Sequence, residues 1–167
     1  MLKKHCNGSR ERVKCAIITV SDTRTVETDA SGKLIHELLE RLHHQVYHYE
    51  IIPDDKYKIL QTVEAALNHG SIEAIILNGG TGIAKRDVTI EAISPLLEKE
   101  LPGFGELFRY LSYEEDVGSA SLLSRAIAGV TNQTVIFSLP GSTGAVKLAM
   151  KKLILPELGH IVSELNK

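Results

Sequence analysis

The sequence predicts an α/β protein in which helices cover both faces of one mostly parallel sheet with one antiparallel strand. Three observations carry that prediction. Short apolar, β-branched runs alternate with longer segments whose apolar residues recur every three or four positions. Glycine- and hydroxyl-rich turns follow several of these runs, where open α/β sheets place ligands. A length of 167 residues, 43% hydrophobic and 24% charged, suits one ordinary globular domain with a sizeable core. Residues 1–12 are polar and basic and are expected as a flexible tail; residues 13–167 are expected as a single domain.

The first strand is predicted over residues 15–20 (CAIITV), followed by Ser21-Asp22-Thr23. A helix should begin near Asp29, with Leu34, Ile35, Leu38, Leu39 and Leu42 on its inner face and His43-His44 favourably placed at its negative end. Residues 45–52 (QVYHYEII) read as a second strand, ended by Pro53. Asp55 is the expected N-cap of the next helix, which leaves Asp54, one step nearer the strand end, to face a pocket. Ile59, Leu60, Val63, Ala66 and Leu67 mark that helix, which should stop at Gly70.

The third strand, residues 74–77, runs into Asn78 and the turn Gly79-Gly80-Thr81-Gly82. Thr89 is the predicted start of a helix that Ser94-Pro95 interrupts. Pro102-Gly103 break the chain again, and Phe104, Leu107, Phe108 and Leu111 mark a further helix, with the two phenylalanines expected in a core or a subunit contact. Residues 119–126 read as a short helix carrying Ser124-Arg125. Residues 127–130 and 134–139 form a predicted hairpin, the source of the antiparallel strand. Pro140-Gly141-Ser142-Thr143-Gly144 then open a helix, and Pro156 starts a last one with Leu158, Ile161, Val162 and Leu165 inward.

In a parallel sheet the loops after residues 20, 52, 78 and 139 can share one edge. Two of them offer glycine-rich backbone N–H groups to phosphates. The others carry Ser21-Asp22 and Asp54-Asp55, and carboxylate oxygens suit Mg²⁺ beside substrate phosphates. Arg86 or Arg125 is placed to stabilise charge on a transferring phosphoryl group. The chain lacks a GxxxxGK[ST] loop, a dinucleotide fingerprint with its acidic partner, a GxSxG elbow and a zinc signature, which leaves hydride transfer and triad hydrolysis unsupported. A formal net charge of -2 argues against general nucleic-acid binding. Cys6 and Cys15 form no CxxC pair and are expected as reduced thiols. No apolar run is long enough for a signal peptide or a membrane span, so a cytoplasmic location is expected.

Gly79-Gly80-Thr81-Gly82 followed by Arg86-Asp87-Val88-Thr89, then Pro102-Gly103-Phe104-Gly105-Glu106, Leu123-Ser124-Arg125 and Leu139-Pro140-Gly141, resembles the MoaB/MogA family of molybdenum cofactor biosynthesis proteins. The resemblance covers nearly the whole chain after the tail. It implies a three-layer α/β/α fold and Mg²⁺-ATP-dependent adenylylation of molybdopterin, with pyrophosphate released. It further implies that Asp54 and Asp87 are the catalytic, Mg²⁺-positioning acids. Nucleotide and pterin phosphates would then be held by Ser21, Asp22, Gly79, Gly80, Thr81, Gly82, Arg86, Ser124, Arg125, Pro140, Gly141 and Ser142. Homotrimers or hexamers are the implied assemblies, and other molybdenum cofactor biosynthesis proteins are expected partners. Ser142 stands where the MogA branch usually has a second proline, which points to the MoaB branch. That keeps open an alternative, a non-catalytic molybdopterin- or nucleotide-binding or assembly protein of the same pathway. The MoeA type and the competence-damage (CinA-type) domain are similar too, but the first carries a different glycine loop and usually extra domains, and Arg86 before Asp87 disfavours the second.

Overall fold

The computed structural model describes residues 11–167. Cys6 and most of the expected tail therefore lie outside the described residues. Chain order is β1 (Lys14–Val20), α1 (Ala30–Arg41), β2 (Gln45–Ile52), α2 (Lys56–Asn68), β3 (Ala74–Asn78), α3 (Thr89–Ile93), β4 (Lys99–Glu100), α4 (Pro102–Glu115), β5 (Ile127–Thr131), β6 (Thr134–Leu139), α5 (Thr143–Ala149) and α6 (Leu155–Leu165). The six strands lie in the order β2-β1-β3-β6-β5-β4. β2, β1, β3 and β6 pair in parallel, and β5 runs against both β6 and β4. The expected mostly parallel sheet with one reversed strand is what forms. The edge strand β4 was not foreseen, because two charged residues give no apolar signal.

Strand residues alternate between two cores, as the period of two requires. Cys15, Ile17, Ile76 and Phe137 face Ile35, Leu39, Phe108, Val146 and Leu158 on α1, α4, α5 and α6. Ala16, Ile18, Ile75 and Leu77 face Ile59, Val63 and Ile93 on α2 and α3. Central strands buried on both faces explain why the runs are continuously apolar. Each fully buried Ile, Leu or Phe contributes about 1.5–3 kcal/mol. The result is a three-layer α/β/α sandwich. Phe104 and Phe108 are both core residues, with Phe104 edge-on to Phe137 at 5.3 Å between ring centroids.

Several local expectations need correction. Leu42 and Leu107 are exposed, so each helical face is narrower than the spacing suggested. His44 is buried, and its Nδ1 accepts the Val13 N–H at 3.1 Å; burial, with the neighbouring His43 charge, pushes its pKa down. A neutral acceptor of this kind does not serve as a cation at the end of α1. Residues 118–123 form a 3-10 turn that ends before Ser124-Arg125. Pro156 does not start a separate helix, because α5 continues into α6 through a π turn at Met150–Ile154. Proline lacks the N–H and its ring crowds the carbonyl four residues back, and the wider turn accommodates both.

The β5–β6 hairpin turns through Asn132 (φ 47°) and Gln133 (φ 61°). Two successive left-handed residues make the tight turn that matches strand twist, but glutamine has a Cβ to accommodate there. Gln133→Gly removes a left-handed penalty of about 1–2 kcal/mol and adds a chain-entropy cost of about 0.5–1 kcal/mol, so stability should rise by a net of about 0.5–1 kcal/mol. Denaturant melts check this: an unchanged or lowered midpoint would count against the turn as the strained element.

Candidate functional site

β1 lies between β2 and β3, and β3 lies next to β6, so four parallel strands deliver their carboxyl ends side by side. The loops that follow enclose a cavity of about 360 Å³. Its lining takes Ser21 and Arg24 from the β1 loop, Asp54 from the β2 loop, and Gly79, Gly80, Thr81, Gly82, Arg86 and Asp87 from the β3 loop. Ser124 follows the 3-10 turn, and Pro140 and Gly141 come from the β6 loop. Most of the residues singled out from the sequence therefore meet at one place.

The glycine turn is set by close approach. Gly79 has φ 101° and Gly80 φ 64°. A Cβ on Gly79 would stand 2.2 Å from the Val20 carbonyl oxygen, and one on Gly80 would stand 2.6 Å from Asp54 Oδ1. Only glycine allows the turn to sit this near β1 and the β2 loop. The turn is pinned on several sides. The Gly79 N–H donates to the Leu139 carbonyl at 3.0 Å, the Thr89 N–H donates to the Gly80 carbonyl at 3.0 Å, and the Thr89 hydroxyl donates to the Gly79 carbonyl at 3.0 Å. Arg125 donates to the Thr81 and Gly82 carbonyls at 2.8 and 2.7 Å and pairs with Glu91. Its guanidinium thus holds the turn from outside the cavity. Ser142 is also absent from the lining; it caps α5, its Oγ accepting the Ala145 N–H at 3.3 Å.

Three carboxylates gather at this edge. Asp22 Oδ1 accepts the Asp54 N–H at 3.0 Å, and Asp22 Oδ2 lies 3.7 Å from Arg86. Asp87 Oδ2 accepts the Ala84 N–H at 2.9 Å. Asp54 Oδ1 is buried and has no hydrogen-bond partner among the described residues. Burial chiefly, then the charges of Asp22 and Asp87, push the Asp54 pKa up, while Arg86 and the Asp22 contact pull it down. A buried carboxylate oxygen with nothing donating to it is the group a cation would satisfy. No cluster of three or more His, Cys, Asp or Glu side chains among the described residues forms a closed metal site.

A second network was missed by sequence reasoning. Arg24 Nη2 donates to the Gly141 carbonyl at 2.6 Å, and Nη1 reaches Asp29 Oδ1 at 3.3 Å and Asn78 Oδ1 at 3.4 Å. Asp29, fully buried, also accepts the Tyr49 hydroxyl at 2.6 Å and the Gly32 N–H at 3.0 Å. Burial alone would raise the Asp29 pKa, but bonds from Thr19, Tyr49 and Gly32 and the Arg24 charge together hold it low. Ser31 Oγ donates to the same Gly141 carbonyl at 2.6 Å. The available signal was Asp29 itself, which marked the start of the helix but not its buried partners.

The model of the family described as "probable molybdopterin binding domain" matches residues 16–160. The chain is 57% identical over 164 residues to molybdenum cofactor biosynthesis protein B of Bacillus cereus, covering 98% of this chain and 97% of that protein. Its fold superposes on a crystal structure of molybdenum cofactor biosynthesis protein B with a TM-score of 0.92 at 59% identity, covering 95% of this chain and 98% of the other. The tungsten cofactor synthesizing protein MoaB of Pyrococcus furiosus gives a TM-score of 0.85 at 42% identity, over 95% and 100% of the two chains.

The raised pKa of Asp54 has a sign that can be measured. With the folded value above the unfolded one, ionised Asp54 costs stability at neutral pH, and the cost disappears below about pH 4, where the carboxyl is protonated in both states. Asp54→Asn should therefore melt higher than the parent chain at pH 7, with the two curves converging as pH falls below about 4. Equal melting temperatures at pH 7 would remove the case for a frustrated carboxylate.

Proposed function

The chain belongs to the molybdopterin-binding domain family of molybdenum cofactor biosynthesis proteins, and from that membership we propose that it adenylylates molybdopterin with ATP. The observation that carries the proposal is the convergence of a carboxylate pair, Asp54 and Asp87, with two glycine-containing loops in one cavity. In the proposed reaction an oxygen of the molybdopterin phosphate forms a bond to the α-phosphorus of ATP. The bond from that phosphorus to the β-bridging oxygen breaks, and pyrophosphate leaves with its electron pair. A phosphate monoester is already largely ionised at neutral pH, so neither Asp is needed as a base. The site's work is positioning and charge neutralisation.

Asp54 and Asp87 would hold Mg²⁺, whose charge would offset the phosphates brought together there. The orphan Oδ1 of Asp54 supports that assignment. Backbone N–H groups of the turn at Gly80-Thr81-Gly82 and of Gly141 would donate to phosphate oxygens. Arg86, largely exposed beside Asp22 and Asp87, is free to swing onto transferring charge. Leu107, Tyr110 and Tyr113 on α4 expose an apolar face, and Leu122 and the cavity-lining Leu123 are exposed as well. That face is assigned to the subunit contacts of a homotrimer or hexamer.

Incubation with molybdopterin, ATP and Mg²⁺ should yield adenylyl-molybdopterin and pyrophosphate in equal amounts. A chain that binds both substrates yet releases no pyrophosphate is instead the non-catalytic binding or assembly protein. Asp87→Ala should lower turnover about 10²–10³-fold while its stability falls by no more than about 1 kcal/mol, the cost of the lost bond to the Ala84 N–H. Light scattering should return three or six chains per particle, and a monomer would remove the assignment of the α4 face.

A further inference from the structure

Two cations line the cavity, and they are held very differently. The Arg86 side chain is 65% exposed, with one carboxylate contact at 3.7 Å. The Arg24 side chain is 29% exposed and fastened at both ends of its fork. Its backbone is set as well, because Ser21 Oγ accepts the Arg24 N–H at 3.1 Å.

We infer that Arg24 is a contact for a substrate phosphate group, aimed in advance by the buried Asp29 and the half-buried Tyr49. The identity of that substrate rests on the adenylyl-transfer reading; the contact itself rests on the geometry. A guanidinium has five N–H donors. Three of the Arg24 contacts go to Asp29 Oδ1, Asn78 Oδ1 and the Gly141 carbonyl. The Nε proton and one Nη2 proton have no partner among the described residues, and the side chain borders the cavity.

A role confined to neutralising Asp29 does not account for this arrangement. Asp29 already takes shorter bonds from Tyr49 and Gly32 than from Arg24. The shortest Arg24 bond goes instead to Gly141, in the β6 loop that borders the cavity. A planar fork fixed in this way loses little freedom when it meets a tetrahedral oxyanion, and it can present two parallel donors where a lysine presents a point charge. Arg24 therefore supplies the preorganised anion contact and Arg86 the adaptable one. Because Arg24 also holds the Gly141 carbonyl, phosphate arrival and the position of the β6 loop are joined through one side chain.

The test is calorimetric titration of the full chain with pyrophosphate and Mg²⁺, and separately with ATP and Mg²⁺, at two salt concentrations. Arg24→Gln should weaken pyrophosphate at least tenfold and flatten the salt dependence, since a charge is lost from the site. Arg24→Lys should recover part of the affinity and all of the salt dependence, because charge returns without the fork. Tyr49→Phe should weaken binding less than Arg24→Gln and keep the salt dependence. Arg24→Gln that melts like the parent and binds within twofold of it overturns the inference while leaving the adenylyl-transfer reading intact. Should Arg24→Gln fail to fold, Arg24→Lys decides: affinity within twofold of the parent overturns the contact. A parent chain that binds neither pyrophosphate nor ATP sinks both readings.

Discussion

The approach of the Gly79-Gly80 backbone to β1 is the constraint on which the carboxyl edge depends. With the Val20 carbonyl oxygen 2.2 Å from where a Cβ would stand, any residue but glycine would push the turn away from the sheet edge. Its inward position brings Gly80 against Asp54 and leaves the β3 loop to curl over the cavity. The rest of the GGTGxxxRDVT spacing follows from holding that position. Thr89 must sit ten residues past Gly79 to bond its carbonyl, and Asp87 must sit three past Ala84 to accept its N–H. Arg125 reaches across from a distant part of the chain to fix the two carbonyls that remain. A motif that reads as ligand chemistry is, in about half of its residues, loop carpentry.

Charge is sorted by depth. Asp29 is buried and kept ionised by four donors around it, so it acts as a permanent anchor. Asp54 is half-buried with an oxygen that nothing satisfies, and two like charges stand beside it. The first arrangement is complete within the chain; the second leaves an oxygen that a cation would satisfy. The two arginines divide along the same line, Arg24 tied to the anchor and Arg86 lying at the surface near the incomplete acids.

Much of this was legible in the sequence, for identifiable reasons. Continuous apolar runs located the strands because these strands are buried on both faces, and the hairpin showed as two runs split by the polar residues Thr131-Asn132-Gln133, the first of which proves to belong to β5. Asp55 as N-cap and Gly70 as the stop of α2 follow from local rules that tertiary structure did not override. Where partners lie far apart in the chain, sequence reading failed. Tyr49 looks like any strand aromatic, and nothing in its neighbours says that it bonds Asp29 twenty residues earlier. His44 looked like a helix-end cation because its acceptor role depends on Val13, outside the helix. Arg125 carries the same formal charge as Arg86, and only the fold separates a brace from a mobile contact.

The crowding of acids bears on which of the two functional readings the site favours. A pocket meant only to retain a phosphorylated ligand would gain by placing cations alone at its mouth, since each carboxylate there repels the ligand. Here Asp22, Asp54 and Asp87 stand together, and burial first, then the charges of Asp22 and Asp87, push the Asp54 pKa up in the folded chain. Such an arrangement is useful when a divalent cation enters with the phosphates, because the same carboxylates would then bind it and the repulsion would be offset where charge develops. Alignment by rigid glycine turns adds the second requirement, since a phosphate nucleophile needs orientation more than activation. The cost of keeping an unsatisfied acid in the free chain is what a transfer site would retain and a storage site would lose, and on that ground the carboxylates support adenylyl transfer over passive binding.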